Sequence, residues 1–573
     1  MTAGERSLQK LAGYLGLDAR AISEPPAATS QDGCIHIAAT CRSLQAFRRH
    51  PRGQAWLSDR LAVPGSSLFV TGIGGSPRDV QIIDDVLPGV VEAVRPVTPP
   101  GKYHVHACQA DGMRYLSGLT FGPAETADRT FRLRTSTTDV QELIAIDGAP
   151  CYVRVDREGA SYFLVACTEV LDVDAAVPRG VQSIDRFLRF VPFLAYLRRT
   201  FGACCWTNDN PAACLIIDDP LLRERYGFLD FRRLDSRLDG SPFSMNIAFI
   251  PWNYRRTDRR TAERFKRPDR RFSISIHGCD HSEAEFESTD ERWLRRQARR
   301  ALARMEAHQR LTGIAHNRVM VFPQGVFSKA SLRALGDEGF VAAVNSTIYP
   351  VDAAAGEITF SDFLAPAVTK FGGAPLFMRH YPERLHKVAL DLFLGRPALI
   401  VEHHGFFKNG YEDVARCVDF VNHIAPGIQW TDLEDVCASV CLKRETGDHT
   451  HLRTFGSTLR IRNPHGQSRH FTIARGCVDG ELQSVTWNDR AITFDVDRTG
   501  ATCHIVLDAA EEGVLHFRRQ LNGAPLEETR PSLKDRFKVF ARRRLCELRD
   551  NYLDRNPVLS ELARAGRNLL PRG

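Results

Sequence analysis

The stretch Cys214-Leu215-Ile216-Ile217-Asp218-Asp219-Pro220 decides how the rest of the chain is interpreted. Its apolar run is typical of a buried strand, and the run ends abruptly at two adjacent carboxylates. Two acids at the end of a buried strand are energetically costly unless a cation or a proton takes up their charge. The stretch therefore predicts a strand that delivers acidic side chains to a functional site.

The same pattern recurs three times further along the chain. Three more apolar runs end in polar residues: 272–276 before His277-Gly278-Cys279-Asp280-His281, 319–322 before Pro323-Gln324-Gly325, and 398–401 before Glu402-His403-His404-Gly405. Strand-like and helical patterns, the clearest helix being 289–312, alternate across residues 205–440 and predict a parallel α/β arrangement. In parallel α/β barrels the C-terminal ends of the strands converge, so we expect these four strand ends to form one site.

The rest of the chain divides into further segments, as expected for about three or four domains in 573 residues. The predicted segments are an N-terminal helix and linker (1–30), a β-rich or mixed α/β accessory domain (31–204), a small β-sandwich (445–525) and a basic helical tail (526–573). The barrel region itself spans 205–440.

The net charge of +7 is confined to the tail, because residues 530–573 contain 12 Lys and Arg against 5 Asp and Glu. A basic amphipathic tail predicts contact with anionic lipid or an acidic partner, and a solvated helix packed on the body is the alternative. Nucleic acid is not an expected partner, since the basic excess is limited to one tail and no recognition motif accompanies it.

The 15 cysteines include no C-x-x-C pair, and we interpret most of them as buried, reduced thiols of a reducing compartment. The first residues lack a basic region followed by an apolar core, so no signal peptide is expected. No apolar run reaches the ~18 residues of a membrane-spanning helix. The sequence thus predicts a cytoplasmic protein, with peripheral contact to the inner face of the membrane through the tail as a further hypothesis.

The spacing of His277 and His281 places both imidazoles on one face of a helical turn, where they can share one metal ion. Two imidazoles and one carboxylate leave an open position on a zinc-like ion, which is a catalytic arrangement. Water on such an ion has a pKa near ~7 and can attack a carbonyl. A neighbouring carboxylate can take its proton, and a histidine across the site can protonate the leaving group.

In their order along the chain, the Asp218-Asp219 pair, the His277–His281 motif, the 322–325 segment and the 399–404 strand end resemble the motifs of the polysaccharide deacetylases. These are the NodB-homology domains of carbohydrate esterase family 4. The resemblance covers residues ~205–440. It implies a distorted (β/α)7 barrel of the glycoside hydrolase/deacetylase superfamily.

The resemblance also implies roles for individual residues. Asp218 matches the general base of the family, and the matching metal ligands are Asp219, His277 and His281. The general acid matches His403 or His404, because the spacing of the last motif fits both. The implied cofactor is a divalent metal, zinc first.

The chain departs from the family pattern at three places. Pro220 follows the acidic pair where the family usually has glycine, and Val321 stands where an arginine would orient the base. No clear Asp-x-x-Asp-Trp motif is found, and Asn345-Ser346-Thr347 lies at a comparable strand end. The metal ligands are thus intact, while the residues around them differ from the family.

The predicted function is metal-dependent removal of an N-acetyl or similar acyl group from a sugar, in surface-polysaccharide metabolism of bacterial type. Without a signal peptide, the substrate would be a nucleotide- or lipid-linked sugar or a nascent chain. Residues expected to line a sugar subsite are Trp252, Asn253, Gln324, Gly325 and Asn345. One alternative is a metal-independent glycoside hydrolase with paired carboxylates such as Asp218 and Asp280. The other is a non-catalytic glycan-binding or assembly protein.

Overall fold

The structure is a computed structural model. It describes residues 2–26, 33–98, 100–107, 112–134, 139–269, 271–476, 482–498, 500–519, 532–553 and 555. The chain forms two compact units. The first consists of Met1–Thr207, Ala355–Leu364 and Lys443–Gly447, and the second of Asn208–Ala354, Ala365–Leu442 and Asp448–Gly573.

The first unit is built around a mixed sheet of seven strands, with a separate pair of strands and several helices beside it. The helices of this unit within residues 1–207 are α1 (Ala3–Tyr14), α2 (Cys41–Arg48), α3 (Gly53–Leu61), α4 (Pro77–Val86) and α5 (Val191–Phe201). Its strands are β1 (His36–Thr40), β2 (Ser67–Thr71), β3 (Val91–Pro96), β4 (Tyr103–Val105), β5 (Thr120–Phe121), β6 (Arg129–Leu133), β7 (Val140–Ile146), β8 (Ala149–Arg157) and β9 (Ala160–Val165). The sheet order is β1-β2-β9-β8-β7-β4-β5, and β3 pairs with β6.

Two hairpins of this sheet follow from turn chemistry. Asp147-Gly148 connects β7 to β8 and Glu158-Gly159 connects β8 to β9, and all four residues have positive φ. Two-residue turns of this kind match the twist of the flanking strands.

The second unit contains a parallel sheet with helices between its strands. Its strands are β10 (Ala212–Asp218), β11 (Arg225–Tyr226), β12 (Leu229–Asp230), β13 (Met245–Phe249), β14 (Phe272–His277), β15 (Val319–Val321), β16 (Ala342–Asn345), β17 (Leu376–Met378), β18 (Ala398–His403) and β19 (Gln429–Trp430). Helices in this stretch of the chain are α6 (Phe231–Arg237), α7 (Arg259–Phe265), α8 (Glu291–Thr312), α9 (Lys329–Asp337), α10 (Phe360–Leu364, which belongs to the first unit), α11 (Leu385–Phe393), α12 (Glu412–Ile424) and α13 (Leu433–Ala438).

The sheet is parallel throughout and nearly closed. Its order is β17-β16-β15-β14-β13-β10-β18, and β19 pairs with the start of β10. A parallel bridge between His380, two residues after β17, and Ile400 of β18 joins the two edges. The strands are apolar and buried along most of their length, as expected where both faces of a parallel sheet are covered. This barrel-like sheet of seven strands is consistent with the predicted (β/α)7 deacetylase fold.

The helix predicted over 289–312 is confirmed as α8. Asp290 caps its N-terminus by accepting a hydrogen bond from the backbone N–H of Trp293, and Gly313 ends it in the left-handed conformation.

Two antiparallel-rich sheets and a last helix follow the barrel. The strands are β20 (Cys441–Thr446), β21 (His449–Thr454), β22 (Thr458–Arg462), β23 (Arg469–Arg475), β24 (Leu482–Trp487), β25 (Arg490–Ile492), β26 (Phe494–Asp497), β27 (Gly500–Leu507) and β28 (Glu512–Arg519). One sheet has the order β20-β21-β23-β27-β26 and the other β22-β28-β24-β25. Leu459 and Leu515 of one sheet share an apolar core with Phe471 and Cys503 of the other.

The described part of the basic tail is helix α14 (Leu533–Leu548), followed by a π-type turn over Arg549–Leu553. The remainder of the predicted tail, like residues 27–30 of the predicted N-terminal linker, lies outside the described residues. Among the residues that are described, no helix combines the length and apolar character that crossing a bilayer requires. Every described cysteine is free, and most are buried.

Candidate metal centre

The carboxyl ends of three strands of the parallel sheet bring the predicted site residues together. Asp218, the last residue of β10, lies in register with His403, the last residue of β18. On the other side of β10, strand β13 separates it from β14, which ends at His277. Residues in register on adjacent parallel strands point to the same face, so Asp218 and His403 are side by side at this end of the sheet.

Asp219, His277 and His281 form a cluster of metal-ligand type. Their ligand atoms all lie within 4.8 Å of one another. The Asp219 Oδ1 atom is 3.5 Å from His277 Nε2 and 3.2 Å from His281 Nε2. One carboxylate and two imidazoles are the donor set that a divalent ion such as zinc accepts, and they leave further positions open.

The protonation of His277 shows that this cluster fits a cation. Its Nδ1 atom lies 2.9 Å from the carbonyl oxygen of Val321, which can only accept, so Nδ1 carries the proton. Burial lowers the pKa of His277 to about 4, so the ring is neutral at neutral pH. The Nε2 lone pair therefore faces the Asp219 carboxylate. Two acceptors in this arrangement are satisfied by a cation between them, and the Nδ1 bond fixes the imidazole for that role.

Two of the three cluster residues have a strained backbone. Asp219 has a φ of +82° and His281 a φ of +53°. Non-glycine residues in this region cost on the order of 1–3 kcal/mol each, and such strain is concentrated at functional sites. The surrounding structure holds both residues in this conformation.

Glu285 shapes the loop that carries His281. Its carboxylate accepts hydrogen bonds from the backbone N–H groups of Cys279 (3.2 Å), Asp280 (2.9 Å) and His281 (3.0 Å). The same carboxylate explains Gly278, because a Cβ atom there would lie 2.5 Å from Glu285 Oε2. Glu285 was not predicted from the sequence, where its only signal is its position four residues after the predicted ligand His281.

Asp218, the predicted base, is held by an arginine that sequence analysis did not find. The Arg379 guanidinium donates two hydrogen bonds to its carboxylate, at 2.8 and 2.7 Å, and both side chains are buried. Burial opposes the charge of Asp218, but Arg379 and the imidazoles of His277 and His403 outweigh it and hold its pKa below the usual range. An arginine thus binds Asp218, although Val321 stands at the position where the family pattern places one.

The two candidate acids have different surroundings. His403 is exposed and lies beside Asp218. His404 is buried, its ring packs edge-on against Tyr226, and its Nε2 atom is 3.5 Å from a carboxylate oxygen of Asp550. Of the two, the structure places only His403 next to the candidate base.

The residues predicted to line a sugar subsite have protein partners. The side-chain oxygen of Asn253 accepts a hydrogen bond from Arg256, and that of Gln324 accepts one from the backbone of Ala284. The amide nitrogen of Asn345 donates to the carbonyl oxygen of Gly325 (2.9 Å), while its oxygen is buried without a partner among the described residues. Their role in sugar binding stays a prediction, as does that of Trp252.

A second acidic cluster nearby is occupied by an arginine. The ligand atoms of Cys279, Asp280 and Glu285 also lie within 4.8 Å of one another. However, Arg304 donates to both Asp280 (2.5 Å) and the Cys279 sulfur (3.4 Å), and Glu285 is engaged by backbone N–H groups. This cluster is therefore satisfied by protein groups and does not need a metal ion.

No protein-family model matches the sequence, and no curated protein matches it. The structure is similar to that of Agd3, described as a novel carbohydrate deacetylase, with a TM-score of 0.46 and 9% identity over 90% of this chain and 97% of that one.

Two further solved structures are similar to less of the chain. The T48 deacetylase, solved with its substrate, has a TM-score of 0.24 and 12% identity over 39% of this chain and 89% of its own. A carbohydrate esterase family 4 pseudoenzyme from Bacillus anthracis has a TM-score of 0.24 and 9% identity over 40% of this chain and 66% of its own. The structural neighbours thus include both deacetylases and a pseudoenzyme.

Proposed function

We propose that this protein is a metal-dependent hydrolase that removes an N-acetyl or similar acyl group from a sugar. The observation that carries the proposal is the Asp219–His277–His281 cluster at the strand ends, directly beside an arginine-bound Asp218. The sugar as substrate follows from the order of the motifs, which resembles that of the polysaccharide deacetylases. Surface-polysaccharide metabolism of bacterial type is the corresponding setting.

The Asp219 carboxylate and the imidazoles of His277 and His281 would hold the metal, and zinc suits this donor set best. When bound there, a divalent ion would supply Lewis-acid chemistry to a water molecule and to the acyl carbonyl.

Asp218 acts as the general base. Its lowered pKa keeps it ionised at neutral pH, and its two hydrogen bonds to Arg379 fix the carboxylate in one orientation. An oriented, ionised carboxylate next to the ligand cluster is suited to take a proton from the attacking water.

His403 acts as the general acid that protonates the departing amine. It lies in register with Asp218, and it is exposed at the site, where a substrate amine can reach it. His404 instead contacts the C-terminal segment through Asp550.

Trp252, Asn253, Gln324, Gly325 and Asn345 form the sugar subsite in this proposal. Trp252 contributes aromatic surface beside its contacts with Arg256 and Phe540, and the buried oxygen of Asn345, unpartnered among the described residues, is an acceptor for a sugar hydroxyl. The substrate is a nucleotide- or lipid-linked sugar or a nascent chain, encountered in the cytoplasm.

We also propose that the tail contacts the inner face of the membrane. On α14, Phe537 is 71% and Leu545 66% exposed, among exposed basic residues such as Lys534 and Lys538. Exposed apolar and basic side chains together suit an anionic lipid surface. Sedimentation with vesicles of anionic and of neutral phospholipid tests this, and equal, weak binding to both would contradict it.

Acetate release tests the activity. The zinc-loaded protein is incubated with N-acetylated amino-sugar oligomers and with nucleotide-linked N-acetylated sugars, beside Asp218→Asn and a chelated sample. Acetate released only by the zinc-loaded wild type supports the proposal. Formation of new reducing ends that continues after chelation would indicate a glycoside hydrolase. Sugar binding without turnover that is unchanged in Asp218→Asn would indicate a glycan-binding protein.

A further inference from the structure

The C-terminal segment 532–553 lies against the same end of the barrel as the candidate metal centre. Glu547 forms a two-bond ion pair with Arg256, which follows β13. Asp550 accepts a hydrogen bond from the Tyr226 hydroxyl at 2.7 Å and faces His404. These partners belong to loops at the carboxyl ends of β10, β13 and β18, so the segment forms a wall of the site.

Arg543 points from this segment toward the barrel. On helix α14 it lies three residues after Phe540, which packs on Trp252 at 6.3 Å between ring centroids, and four residues before Glu547. Residues at these spacings share one face of a helix. Arg543 is accordingly buried, with 3% of its surface exposed, although most residues of α14 are exposed.

The buried Arg543 guanidinium is under-satisfied. Its Nε atom is buried and has no hydrogen-bond partner among the described residues. A buried charge without a partner costs several kcal/mol, so such a group needs a counter-charge. The carboxylates on the same face of the segment are engaged by other groups, Glu547 by Arg256 and Asp550 by Tyr226 and Arg549.

Metal binding changes this balance. Asp218 is already neutralised by Arg379, and a divalent ion at Asp219 takes up the charge of that carboxylate. With a metal ion bound, none of these carboxylates would be free to balance the buried Arg543 guanidinium, whose Nε has no partner among the described residues. An anionic oxygen group from a ligand would balance this charge and accept a hydrogen bond from the unpartnered Nε.

We propose that Arg543 is a substrate-binding residue of the candidate active site, and that it binds a carboxylate or phosphate group of the ligand beside the metal ion. The inference rests on the proposed metal centre and deepens it. The carboxylate can be that of the released acyl acid, and the phosphate that of a nucleotide- or lipid-linked sugar.

Titration calorimetry of the zinc-loaded full chain with acetate and, separately, with inorganic phosphate tests this proposal and distinguishes the two sources. The variants are Arg543→Gln, which removes the charge, and Arg543→Lys, which keeps it. Arg542→Gln is the matched control, because it removes the same charge from the adjacent position of the same helix. Zinc content is measured by elemental analysis for every sample before the titration.

We expect Arg543→Gln to keep its zinc and to bind the preferred anion roughly tenfold to a hundredfold more weakly, the range for a charged hydrogen bond. Arg543→Lys should retain much of the binding, and Arg542→Gln should match the wild type. Equal anion affinity in Arg543→Gln and wild type would overturn the proposal. So would a rise in zinc affinity alone, because Arg543 would then be only a counter-charge for Asp219.

Two further measurements keep the outcomes separate. Hydrogen exchange over residues 532–553 shows whether Arg543→Gln has released the segment, and Arg543→Lys then decides between loss of the charge and loss of the fold. If the wild type takes up no zinc, the metal centre fails. The titrations of the metal-free protein still decide whether Arg543 binds an anion, because binding lost in Arg543→Gln supports the site and unchanged or absent binding overturns it.

Discussion

Arg379 and Asp218 form a buried ion pair with two parallel hydrogen bonds, although they lie 161 residues apart in the chain. Arg379 follows β17, one edge of the sheet, and reaches Asp218 at the end of β10 past the intervening strand β18. The pair fixes the carboxylate at the centre of the proposed chemistry. It also makes that chemistry and the stability of the barrel interdependent.

Removing Arg379 should destabilise the fold as well as the reaction. Arg379→Ala leaves Asp218 charged and buried without its partner, so the free energy of unfolding should fall by about 3–5 kcal/mol in urea titrations. The double variant Asp218→Asn/Arg379→Ala buries no isolated charge and should be more stable than Arg379→Ala alone. If the double variant were less stable than the single one, the pair would not be the source of the loss.

Glu285 should control metal affinity through the backbone of the His281 loop. Glu285→Gln weakens the three backbone hydrogen bonds that hold this loop, and loss of such supporting contacts typically lowers metal affinity 10–100-fold. Competition with a zinc chelator measures the affinity. The control is Glu283→Gln two residues earlier, whose side chain is 86% exposed and should leave zinc affinity unchanged.

The two adjacent histidines should have separable roles. His403→Ala removes the proposed acid and should lower kcat by about 10²–10⁴-fold, with zinc content unchanged. His404→Ala removes a contact to Asp550 and should increase hydrogen exchange in the C-terminal segment. A loss of kcat in His404→Ala with normal kcat in His403→Ala would reverse the assignment.

Glu402 should make the stability of the fold depend on pH between about 4.5 and about 7. Burial raises its pKa from 4.5 to about 7, beside the apolar side chains of Ile217, Phe406 and Val414. The folded protein therefore keeps this proton where the unfolded chain has lost it. Its contribution to stability is complete below about pH 4.5 and is lost as the pH rises through about 7.

The matching measurement compares the thermal midpoints of wild type and Glu402→Gln from pH 4 to 8. The variant cannot ionise, so the wild type should lose stability relative to it across this window. A constant difference at all pH values would mean that Glu402 titrates as an ordinary exposed glutamate.

The strand ends were predictable from sequence because a buried strand that stops at charged residues is a local pattern. The run from Cys214 to Asp219 and the His277–His281 spacing needed no knowledge of distant contacts. Arg379 follows a strand of only three residues, and the sequence around it carries no recognisable pattern. It reaches its partner Asp218 only because the barrel closes, and closure of the barrel is a property of the whole fold. Arg543 was recognised only as part of a basic tail, since nothing in its neighbourhood distinguishes the one buried position from the exposed ones.

The choice between His403 and His404 also needed the structure. Both fit the motif spacing. The alternation of side chains along a strand distinguishes the two histidines only when the residue at which the strand ends is known. Here β18 ends at His403, which keeps the register with Asp218, and a 3-10 turn begins at His404 and directs it elsewhere.

Metal content tests the central claim most directly. The purified wild type and a His277→Ala/His281→Ala double variant are incubated with zinc, desalted at neutral pH and measured by elemental analysis, with circular dichroism as the check on folding. We predict about one zinc ion per chain in the wild type and none in the folded double variant. A folded wild type that remains empty after zinc addition would contradict the metal centre and the hydrolase built on it.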